Sequence, residues 1–154
     1  MLEWIHDLIT NPYLITAVLA WFVAQVMKTI IYAVLNRKLR LERMVGDGGM
    51  PSGHSATVTS LALLALLQFG PSSFEFAIAG ILAIIVCHDA MGVRHETGKQ
   101  AMVLNELIKS YEILTKQDLP DVKLKELVGH TPFQVIAGIL IGTLDALFMY
   151  YIVL

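Results

Sequence analysis

Four stretches of the chain stay apolar for longer than a soluble core requires, and between them glycine, proline and charge return. The first, about 13–35, is interrupted only by Gln25 and Lys28 and is long enough to cross ~30 Å of hydrocarbon at 1.5 Å per residue. The second, 55–69, is shorter and ends at the turn-forming pair Gly70-Pro71. The third covers 74 to about 91 and the fourth 132–154. The second and third are short for lipid-exposed spans, which predicts shelter, tilt or a thinned bilayer around them. Helices are expected throughout, because an open lipid-facing segment must satisfy its own backbone hydrogen bonds.

A different pattern occupies 99–117. Met102, Val103, Leu104, Leu107, Ile108, Tyr111 and Leu114 recur at helical spacing, opposite Lys99, Glu106, Lys109, Glu112 and Lys116. This predicts an amphipathic helix lying at the interface or capping a bundle. Residues 116–127 read as a polar surface connection broken at Pro120. The expected fold is therefore all-α: an integral membrane helical bundle of about four transmembrane helices plus an amphipathic interfacial helix, in one domain over 1–154.

Composition strengthens the membrane reading: 56% of the 154 residues are hydrophobic, 16% are charged, and the mean hydropathy is +0.65. A net charge of −2 gives no basic surface for nucleic acid. The lone cysteine, Cys87, excludes an internal disulfide framework and reads as a packing residue in an apolar run. Glu3 and Asp7 precede the first apolar block where a secretory signal would carry basic residues. Arg37, Lys38, Arg40 and Arg43 follow the first span, and Arg94, Lys99, Lys109, Lys116, Lys123 and Lys125 follow the third, whereas 68–73 and the first twelve residues carry no lysine or arginine. With four spans the positive-inside rule places the basic loops in the cytoplasm and both termini outside.

On that topology three polar clusters meet at one membrane face. GGMPSGHSA (48–56) enters the second span, HDAMGVRHETG (88–98) leaves the third, and GHTPFQ (129–134) enters the fourth. Lys28 lies roughly two turns inside the membrane on the same side, where a charge by default marks a functional site, although a lysine near a helix end can also snorkel. With Pro51 in the first turn of a helix, the N–H groups around Ser52, Gly53 and His54 lack helical partners and form an anion site; the bland alternative is a simple cap with an incidental histidine. Arg94 offers a fork suited to phosphate oxygens, and His54 and His130 are groups whose ordinary pKa lies near neutrality. Together they are the parts of a phosphoryl-transfer site. The histidines lack zinc-site spacing, so no metal and no cofactor is expected. Gly138 and Gly142 allow close helix packing and would equally suit a homodimer.

PSGH, followed by His130-x-Pro132-x-Gln134-Val135-x-x-Gly138, resembles the type 2 phosphatidic acid phosphatase superfamily. GGMPSGHSA, DAMGVRHETGKQAMVLN and ELVGHTPFQVIAG look more specifically like its divergent branch of small bacterial and plastid membrane proteins, over about 24–142. The resemblance implies that His130 attacks phosphorus to form a phosphohistidine and that His54 acts as general acid. It also implies phosphate contacts from Lys28, Ser52 and Gly53 and, by the divergent branch's own pattern, from Arg94, with Arg37 or Arg43 as a loose substitute for an Arg-Pro pair this chain lacks. Gln134 stands where the superfamily has the carboxylate that orients the nucleophile, and Asp89 and Glu126 are the carboxylates that would supply charge instead. The expectation is a metal-independent lipid phosphatase of the bacterial plasma membrane, its site facing the cytoplasm, acting on a phosphomonoester or pyrophosphate. Phosphatidate and phosphatidylglycerophosphate are favoured over undecaprenyl pyrophosphate. Gln134 and the missing Arg-Pro support the alternative, a non-catalytic protein that binds or translocates a phospholipid.

Overall fold

The computed structural model describes residues 1–40, 44, 48–116, 124 and 129–154, and every described element is helical. A short α1 (Leu2–Ile9) precedes α2 (Pro12–Asn36), α3 (Gly53–Phe69), α4 (Phe74–Met91), α5 (Val93–Thr115) and α6 (Pro132–Phe148), which ends in a π-helical turn, Met149–Val153. The helical membrane bundle expected from the sequence is thus the observed fold.

The boundaries follow from local chemistry. Asn11 caps α2 by accepting hydrogen bonds from the Tyr13 and Leu14 N–H groups, with Pro12 in the first turn. Ser52, Ser73 and Thr131 do the same for α3, α4 and α6. Pro51 lies before the Ser52 cap, outside the helix it was expected to begin. The amphipathic helix begins at Val93, six residues earlier than its periodicity indicates, because only Gly92 separates it from α4. Arg94 and His95 are therefore helical. The break expected at Pro120 lies outside the described residues.

The short α3 is the hub. Its 17 residues advance about 25 Å, less than a full bilayer core, and it is sheltered by α2, α4 and α6. The third span, α4, is not sheltered: Ile78, Ile81, Leu82, Ile84 and Ile85 are exposed, and only Ala79 and Ala90 are buried, since α4 packs chiefly on α3. Gly138 and Gly142 of α6 press against the Ser52 and Ala56 carbonyls of α3, where any Cβ would overlap backbone. That small-residue face is spent inside the chain, so it is not the surface by which two copies would meet. Ala20, Ala24 and Ala56, with Ile141 against them, complete the α2–α3–α6 contact. Small side chains are what allow helices to pack without a hydrophobic driving force between them.

Candidate active site

The polar ends of α3, α4 and α6 converge on one cavity of about 200 Å³, lined by Gly48, His54, Asp89, Ala90, Arg94, Gly129 and His130, with Ile85 and Val86 on its apolar side. Backbone bonds fasten the three segments together: the Ser52 N–H donates to the Gln134 carbonyl (3.0 Å) and the His130 N–H to the Ala90 carbonyl (2.9 Å). Gly129 holds φ +79°, and a Cβ there would overlap the backbone of Arg94 and His95, so only glycine lets the His130 loop dock on α5.

His130 is 3% exposed, and its Nδ1 pairs with Gln134 Oε1 at 3.2 Å. The same oxygen accepts the Thr131 N–H (3.2 Å), while Thr131 Oγ1 accepts the Gln134 N–H (3.4 Å). Gln134 is thus the far half of a capping box, and its place is fixed by the helix start itself. A neutral His130 that donates from Nδ1 to this amide oxygen leaves Nε2 as its lone-pair nitrogen. Burial, the largest influence, holds the His130 imidazole below its ordinary pKa; the Gln134 contact opposes it, the nearby Lys28 and His54 charges add to it by smaller amounts, and the Gly49 backbone opposes it least.

His54 stands at the exposed edge of the cavity, its ring centroid 6.3 Å from that of His130. In-line transfer needs roughly 3–3.5 Å from nucleophile to phosphorus and a hydrogen bond of roughly 2.8 Å on the departing oxygen. These lengths, with a phosphorus–oxygen bond between them, exceed the present ring separation, so a phosphoryl group in line between the two histidines requires the exposed His54 ring to swing outward. Arg94 Nε donates to Asp89 Oδ2 at 2.7 Å, so the carboxylate is engaged with the arginine, whereas the group on His130 Nδ1 is the amide of Gln134.

Of the remaining expected residues, Lys28, Ser52 and Gly53 do not line the cavity. Lys28 is buried, and its stem lies against Gly49, near enough for its charge to act on His130. Ser52 is fully buried as the α3 cap, its Oγ accepting from the Ser55 N–H and Oγ–H. With the Ser52 N–H given to Gln134 and the Ser55 N–H to Ser52, the first turn's anion-binding capacity rests on the N–H groups of Gly53 and His54. Gly53 backs onto Trp21 and Gln25 of α2. Arg43 and Glu126 lie outside the described residues. Among the described residues no group of three or more His, Cys, Asp or Glu side chains gathers as metal ligands would.

Two buried polar groups were not anticipated. Gln25 Oε1, beside Gly53, and Asp145 Oδ2, on the same α6 stripe as Gly138 and Gly142, have no hydrogen-bond partner among the described residues. A lone carboxylate inside the fourth apolar run was the visible signal for Asp145.

Residues 9–144 match the model of the divergent PAP2 family. The chain is 39% identical over 154 residues to the uncharacterized membrane protein YuiD of Bacillus subtilis (strain 168), an alignment covering 94% of this chain and 98% of that one. No solved structure matches.

Proposed function

The chain belongs to the divergent PAP2 family, and on that footing we propose that it is a membrane lipid phosphatase working through a phosphohistidine at His130. The observation that carries this reading is the pair of histidines in one cavity, one held at Nδ1 by Gln134 and the other 6.3 Å away, with Arg94 beside them. His130 Nε2 attacks phosphorus as the bond to the leaving oxygen breaks, and His54 gives that oxygen its proton. Water then cleaves the phosphorus–nitrogen bond, with His54 as base, releasing phosphate and restoring His130. Asp89 holds Arg94 through Nε, which turns the guanidinium's remaining N–H groups toward phosphate oxygens. The Lys28 charge and the N–H groups of Gly53 and His54 add to the positive field on which phosphoryl transfer depends.

The substrate is a phosphomonoester or pyrophosphate of a lipid. The basic loops support a cytoplasmic site with the termini outside, and hence phosphatidate or phosphatidylglycerophosphate ahead of undecaprenyl pyrophosphate. A second reading, a phospholipid-binding or translocating protein without turnover, is favoured by one observation: the partner of His130 is an uncharged amide. Phosphate release by the purified protein from these three lipids, with chelator present and His130→Ala alongside, decides between them. Release that survives chelation and vanishes in the variant is expected; no release with lipid binding intact would hand the site to the binding reading.

A further inference from the structure

The cavity shares His54 and Val86 with a second hollow of about 340 Å³, which is lined otherwise by Leu14, Ala17, Val18, Trp21, Thr57 and Val58. Leu14, Ala17, Val18 and Trp21 form one stripe of α2, at the spacing of neighbours on a helix surface. Thr57 and Val58 contribute from α3, and Val86 from α4. Both α2 and α4 pack on α3, with no comparable contact between themselves. The hollow is thus a groove along α3 that starts at the exposed His54.

Apart from His54 its lining offers almost nothing polar to a ligand. The Thr57 hydroxyl is turned back to the Gly53 carbonyl at 2.8 Å. Trp21 forms the wall nearest the cavity, since a Cβ on Gly53 would lie 3.3 Å from its Cδ1. From Trp21 to Leu14 the groove advances about 10 Å, the reach of roughly eight methylenes. Its volume agrees, taking roughly ten groups the size of a water's ~30 Å³ share. Both measures fit one chain segment.

We propose that this groove binds one hydrocarbon chain of the phosphorylated lipid whose phosphate occupies the cavity. The proposal rests on the phosphatase reading of that cavity. A chain passing from the bilayer into an apolar groove exchanges one apolar surrounding for another, so the groove gains little by the hydrophobic effect. Its contribution is orientation: a chain laid along α2 brings its phosphate to the His54 end and fixes the approach to His130. The substrate class is accordingly a membrane-resident phosphate with at least one chain of about eight carbons or more. A short water-soluble ester would enter the cavity unpositioned.

The chain has two tryptophans, Trp4 and Trp21, so Trp4→Phe leaves the groove wall as the sole indole emitter. In phosphatidylcholine vesicles this protein would be titrated with a long-chain alkylphosphonate brominated along its chain, whose carbon–phosphorus bond is not hydrolysed. The equally brominated alcohol is the control. Saturable quenching by the phosphonate is expected at mole fractions where the alcohol quenches only in proportion to its amount, reversed by unbrominated phosphonate. Val18→Phe fills the groove from a position 62% exposed, so folding is spared, and should raise the half-saturating mole fraction about tenfold or more. Proportional quenching by the phosphonate, or saturation indifferent to Val18→Phe, overturns the groove assignment. Phosphate release from the lipid panel is scored in parallel. Release with merely proportional quenching sinks the groove and keeps the phosphatase, whereas saturable quenching without release keeps the groove and sinks the phosphatase.

Discussion

Exchanging Gln134 for glutamate tests the site's chemistry at its most unusual point. The substitution is nearly isosteric, keeps an acceptor for the Thr131 N–H and His130 Nδ1, and places an acid in the first turn of α6, where the helix dipole favours it. Structure should therefore be retained while charge changes. When Nε2 attacks phosphorus the imidazole becomes positive, and a carboxylate at the present 3.2 Å contact would stabilise that charge. With the charge centres about 4 Å apart and an effective dielectric near 20, the full interaction is about 4 kcal/mol. A transition state that has developed roughly half the charge would gain about 2 kcal/mol, or about 30-fold in turnover. The same carboxylate also stabilises the protonated, non-nucleophilic ground state of His130. The acid limb of the pH–rate profile should consequently move to higher pH even as the plateau rises. Phosphate release from the lipid the parent protein hydrolyses, measured from pH 5 to 9 in both proteins, reads both quantities. A plateau that stays level or falls, with the acid limb unmoved and thermal stability unchanged, would refute the role given to the His130–Gln134 pair.

Gly142→Ala drives a Cβ into the Ala56 carbonyl and should cost about 1–3 kcal/mol, seen as a lowered thermal midpoint in detergent, whereas Gly70→Ala, which meets nothing within 4 Å but holds φ +83°, reports backbone strain alone. Because His130 is held below its ordinary pKa in the folded state, the unfolded chain takes up its proton first: stability should decline as pH falls through the ordinary imidazole value near 6.5 and level off below the folded value. His130→Ala should remove that part of the pH dependence, and unchanged curves would contradict the burial assigned to the ring. In a Cys87→Ser background, single cysteines at Ser73 and Lys109 should label from opposite sides of sealed vesicles, and labelling of both from one side would overturn the topology.

The membrane class, the four apolar helices and the cluster of His54, Asp89, Arg94 and His130 at one end are legible from the residues alone. These are properties of short range: apolar run length, and a chain that must return to the same face every second span. The amphipathic pattern was legible too, but its start was not, because one glycine between α4 and α5 carries no periodic signal. Pairings were decided only in three dimensions. Ser52 reads as a phosphate contact and Asp89 as a charged partner for His130; in three dimensions Ser52 is the buried cap of α3 and Asp89 pairs with Arg94. The apolar stripe of α2 looked like any lipid-facing helix until α3 and α4 framed it beside His54. Spacing along a chain specifies which residues share a helix face, but which faces meet depends on where small residues let helices approach, and Gly138 and Gly142 settle that for α6 against α3.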